Sequence, residues 1–164
     1  MSNSDVMQSP QPQLDLASRT GSATPQPRRL RSVGAVAVGL VGIFAVTTAV
    51  DAVMHATGVF PPIGAAPMSD ALFLLAFAYR FVIDIAGSWL AARLAPVRPM
   101  RHALVLGAIG LVLSIAGAVA MWDASRAWYP IALAVSALPS AWLGGRLVQR
   151  AHLGHESRGQ KLRG

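Results

Sequence analysis

Cysteine is absent from the 164 residues, which excludes disulfides, thiolate metal sites and a cysteine nucleophile. Charge is scarce as well. Asp, Glu, Lys and Arg make up 13% of the chain, against about 25% in a soluble domain, so few groups are left to keep a surface wet. Acidic residues number only seven. Thirteen of the fourteen basic residues are arginine, which together with many Ala and Gly fits a GC-rich bacterial genome. No nucleophile-elbow, phosphate-loop or dinucleotide fingerprint occurs, so the sequence implies neither a cofactor nor catalytic machinery.

What the chain does have is apolar length. Hydrophobic residues make up 54% of it, and the mean hydropathy is +0.49. The formal net charge is +7. The basic residues flank apolar runs instead of lining a helix face with interleaved aromatics. Anionic lipid headgroups, and not nucleic acid, are therefore the expected counterions.

Residues 1–29 are rich in Ser, Gln, Pro and Thr and lack an apolar period, so they read as a disordered tail. Four apolar spans follow over 30–151, and a basic tail occupies 152–164. The spans cover roughly 32–57, 70–94, 101–123 and 129–149, each close to the ~20 residues that a bilayer-crossing helix needs. Gly58 and Pro61-Pro62 end the first, and Ser69 or Asp70 is the expected N-cap of the second. Pro96 and Pro99 separate the second from the third. Pro139 is expected to bend the fourth. The basic run before the first span invites a signal-peptide reading. Its long leader, long apolar stretch and lack of a small-x-small cleavage site favour an anchor. The expected fold class is all-α, a polytopic four-helix membrane bundle.

Orientation follows from the arginines. With alternating spans, twelve cations fall on one side, among them Arg28, Arg29, Arg31, Arg93, Arg98, Arg101, Arg146 and Arg150. Only Arg126 falls on the other. Both termini are therefore expected in the cytoplasm, with the protein multi-pass in the inner membrane. Trp122, Trp128, Tyr129 and Trp89 stand where interfacial aromatics belong.

Lipid supplies no hydrophobic drive between helices, so close backbone approach matters. Small residues recur at every fourth position: Gly110, Ser114 and Ala118 in the third span, and Ser136, Ser140 and Gly144 in the fourth. These are the expected packing stripes.

Set against this background, AYRFVIDIAG at 78–87 puts an arginine and an aspartate inside an apolar span. Each ion alone disfavours insertion by roughly 2.5–3.5 kcal/mol, so each needs a partner. Ala76, Arg80, Asp84, Ser88 and Ala92 form one stripe that should face other helices. Thr47, Asp51 and His55 form a second on the first span. Arg80 can therefore pair with Asp84 within its own helix or with Asp51 across helices. Asp51 and His55 alone are too few to hold a metal.

Two functional readings stand at this point, and the first is preferred, with the second as its alternative. In the first, the ions fix helix register in a non-catalytic accessory or scaffold subunit that acts through helix contacts, alone, as a homo-oligomer or with a membrane-protein partner. In the second, Arg80, Asp84, Asp51 and His55 line the pathway of a small transporter or channel. HATGVFPP at 55–62, AYR at 78–80, RPMRHAL at 98–104, WYPIAL at 128–133 and AWLGG at 141–145 resemble a group of small uncharacterised bacterial inner-membrane proteins. The resemblance implies the four-helix topology and carries no activity. It also draws attention to the loop GVFPPIGAAPMSD, whose prolines would stiffen it as a turn or a partner site.

Overall fold

The computed structural model describes residues 28–62, 68–120, 122 and 126–161, and the side chains of 30–151 within them. Most of the expected N-terminal tail, part of the proline loop and the end of the C-terminal tail lie outside the described residues. The described residues contain four α-helices and no strand: α1 (Arg28–Ala56), α2 (Asp70–Leu94), α3 (Pro99–Ala120) and α4 (Trp128–Lys161). All four are long and apolar enough to cross a membrane, over stretches of 27, 25, 22 and 24 residues.

Local chemistry sets the ends. Gly58, at φ 73°, takes the left-handed conformation that closes α1, and its N–H donates to the His55 carbonyl at 3.2 Å. Ser69 stands at the N-cap of α2 with extended backbone but makes no side-chain capping bond. Asp70 is the first helical residue. The α2–α3 connection is held short by Pro96 and Pro99, and Arg98 between them is forced to φ 52°. α4 continues through Pro139, which sits on an exposed face, and runs on past 149 to Lys161.

Helix α2 is central and packs against α1, α3 and α4, while α1 rests on α2 and more lightly on α3. Neighbours in sequence run antiparallel. α2 and α4 run parallel, because Phe73 meets Tyr129 at one end and Ser88 meets Gly144 further along.

Packing is concentrated at the end that carries the α2–α3 connection. There Ala35, Ala91, Ala92, Ala103, Leu106, Ala141 and Val148 are buried. Small residues let the backbones approach. A Cβ on Gly144 would lie 2.6 Å from the Ile85 carbonyl oxygen and 2.7 Å from the Trp89 nitrogen. One on Gly39 would lie 2.9 Å from the Gly87 carbonyl oxygen.

Towards the other end the helices separate. No residue of α1 beyond Gly39, and none of α3 beyond Gly107, is buried. Phe73 and Arg80 of α2 face the gap that opens there, and Phe44 and Leu113 stand at its rim. The outward faces of all four helices are apolar, with Phe44, Val82, Val119 and Val135 among the most exposed side chains.

Candidate functional site

The separation of the helices leaves a cleft of about 850 Å³ walled by all four of them. That is the size of a cavity for a drug-sized molecule, about 300–1,000 Å³. From α1 come Thr47, Asp51 and His55, and from α2 Ala76, Arg80, Asp84 and Ser88. α3 contributes Gly110, Ser114 and Ala118, and α4 contributes Tyr129, Ala137 and Ser140. Phe60, Pro61 and Pro62 line its loop end.

Arg80 pairs across helices. Its Nη2 donates to Asp51 Oδ2 at 2.5 Å, with 31% and 29% of the two side chains exposed. The Tyr79 hydroxyl donates to the other oxygen, Asp51 Oδ1. A carboxylate on α1 is thus held by two neighbouring donors on α2. Helix directionality explains the choice. Side chains lean towards their own N-terminus, so residues on antiparallel helices lean towards each other. Arg80 Nε is buried with no partner.

Asp84 therefore lacks the intrahelical partner that its spacing offered. Among the described residues no ion pair or hydrogen bond reaches it. The residue is half-buried and lines the cleft, and its oxygens are not among the buried unpartnered atoms. His55 stands apart from this group: its Nδ1 lies 2.8 Å from the Pro61 carbonyl oxygen, and its ring meets Phe60 edge-on at 5.5 Å. It closes α1 onto the loop. Among the described residues no three of His, Asp and Glu gather closely enough to hold a metal.

The two small-residue stripes part company. Ser136, Ser140 and Gly144 are buried in the seam of α4. Gly110, Ser114 and Ala118 are only half-buried and line the cleft, and nothing lies within 4 Å of a Cβ on Gly110. The packing surface of α3 is instead Ala103, Leu106 and Gly107. The reason is position: spacing gives Gly110 a face, but its half of α3 is the half that has moved away.

Three contributors escaped sequence reasoning. Tyr79 holds Asp51 from 28 residues away, and adjacency to Arg80 was the only signal. Tyr129, read as an interfacial anchor, lines the cleft and meets the Phe73 ring at 5.0 Å. Asp70 pairs with Arg126 at 3.5 Å and accepts from Trp128 Nε1 at 3.1 Å, tying the two loop-end connections together. At the opposite end Arg93 sits over Trp89 at 5.1 Å and Arg146 over Trp142 at 4.2 Å.

A largely apolar cleft that carries Arg80, Asp51 and Asp84, inside four apolar helices, is compatible with a multi-pass integral membrane protein. No family model, curated protein or solved structure matches the chain.

Proposed function

We propose that the chain is a multi-pass inner-membrane protein with both termini in the cytoplasm, acting as a small transporter whose cleft is entered from the non-cytoplasmic half. The observation that carries the reading is the setting of the charges. Arg80, Asp51 and Asp84 stand on the wall of a cavity, whereas a purely structural ion pair would be shut into a helix seam. The packed half of the bundle closes the cleft at one end, giving the one-sided access that a single transport state requires.

Topology rests on the cation bias and on the two Trp–Arg pairs at the packed end, a combination suited to an anionic headgroup zone. Fluorescent-protein fusions after residues 97 and 164 are expected to glow, and phosphatase fusions after 62 and 126 to be active. The reverse pattern would overturn this orientation.

Because the chain lacks cysteine, single thiols report directly on the cleft. A membrane-impermeant maleimide added to intact cells should label Ser114→Cys, on the cleft wall, at least about tenfold faster than Ile115→Cys on the apolar exterior, because the reactive thiolate needs water. Equal rates would mean a cleft closed to water and would sink the transporter reading.

The accessory-subunit reading has one observation of its own. A shallow apolar groove bounded by Leu40, Val41, Phe44, Ala52 and Leu113 runs along the α1–α3 side and could seat a partner helix or a second copy. In that case Ser114→Cys would be protected in cells and labelled only after purification.

A further inference from the structure

The cleft has a charge imbalance that its own side chains do not resolve. Its walls carry one arginine and two aspartates, Arg80, Asp51 and Asp84. Arg80 is committed to Asp51, which Tyr79 also holds. One carboxylate remains, Asp84, which lines the cavity and has no partner among the described residues. The rest of the wall is largely apolar and includes the rings of Phe44, Phe60, Phe73 and Tyr129.

On this cleft reading, we propose that the site takes a lipophilic organic monocation, such as a quaternary ammonium or phosphonium, with its charge against Asp84 and its apolar groups against the aromatic wall. A cation neutralises the carboxylate and is drawn to ring faces. An anion would meet a surplus of its own sign, since the one guanidinium gives Nη2 to Asp51 and its unpartnered Nε is buried away from the cavity. A neutral lipid chain would fill the space and leave Asp84 uncompensated. A bare metal ion would find too few ligands, and its size would leave most of the cavity unused.

Geometry also supplies a way in. Leu40, Phe44, Thr48 and Leu113 border both the cleft and the outer α1–α3 groove, so a single layer of side chains divides them. A ligand dissolved in the acyl chains can cross there without passing through water. Lipophilicity is then a requirement of the route as well as of the site.

The test uses the full chain purified in detergent, with tetraphenylphosphonium as probe and tetraphenylborate, of matching shape and opposite charge, as control. Saturable binding of the phosphonium at one per chain is expected, with the borate failing to compete. Asp84→Asn should weaken binding at least about tenfold, while Asp84→Glu retains it and Asp70→Asn, at the exposed loop end, leaves it unchanged. Monodispersity on size exclusion, together with the Asp84→Glu result, separates loss of the site from loss of the fold. Equal competition by the borate would show that the cavity reads apolar shape alone and would overturn the proposal. So would unchanged affinity in Asp84→Asn, or no saturable binding by wild type. Were Ser114→Cys labelled while the phosphonium fails to bind, the cleft reading would survive and only its ligand would be wrong.

Discussion

Gly144→Ala is expected to destabilise the bundle by about 3 kcal/mol, and Gly144→Leu to abolish its folded monomeric form. The added methyl would meet Ile85 O, Trp89 N and Ser88 Cβ, at 2.6, 2.7 and 2.8 Å. Two of these are backbone atoms, which no rotamer change can move aside. Relief requires pushing α4 away from α2, and that opens the seam in which Ser140 and Ala141 are buried. The helices associate through backbone proximity of this kind, because lipid offers no competing hydrophobic drive. Gly110 supplies the internal control. Nothing lies within 4 Å of a Cβ there, so Gly110→Ala should raise stability by roughly 0.5–1 kcal/mol through helix propensity alone. Thermal melts followed by circular dichroism in one detergent would show the two shifts with opposite sign. Melting temperatures that move together would mean that the α2–α4 contact is not where the bundle is held.

Much of this architecture was legible in the residues. The apolar runs between Gly58, Pro61, Pro96 and Pro99 marked α1, α2 and α3 to within a few positions, because breaker residues act locally. Whether a small-residue stripe packs or gapes was not legible. The spacing of Gly110, Ser114 and Ala118 is the same as that of Ser136, Ser140 and Gly144, since periodicity specifies a face and says nothing of distance to the neighbour. That distance is set by where the tight contacts of α3 lie: they gather at Ala103, Leu106 and Gly107, and no residue of α3 beyond Gly107 is buried. The partner of Arg80 was undecided for a related reason. Spacing alone offered Asp84, and only the relative height of α1 and α2, set by the Gly39–Gly87 approach, brings Asp51 level with Arg80. The length of α4 was hidden too: beyond 149 the helix runs on through the polar stretch RAHLGHESRGQK to Lys161, and a reading based on apolar length stops where the apolar run stops.

Removing Asp51 should expose how far the fold depends on that height. Asp51→Ala leaves Arg80 without its anion and the Tyr79 hydroxyl without its acceptor. Breaking a fully buried pair from one side destabilises by about 3–5 kcal/mol. Since 31% and 29% of these side chains face the cleft, about 2–3 kcal/mol is the expected loss, after discounting for screening there. Replacing both partners by apolar side chains, Asp51→Leu with Arg80→Met, should recover most of it, because neither ion then remains to be compensated. The cycle is therefore expected to be non-additive by at least about 1 kcal/mol. Additive losses would mean that the two residues stabilise separate contacts. The comparison pair is Asp70–Arg126, whose side chains are 63% and 57% exposed; there Asp70→Ala should change stability by less than about 1 kcal/mol. The double variant also separates structure from site. It deletes one positive and one negative charge from the cleft, so the surplus on Asp84 persists. A bundle that keeps both its stability and its cation affinity without the Arg80–Asp51 pair assigns that pair to helix register and leaves Asp84 as the group that faces the ligand.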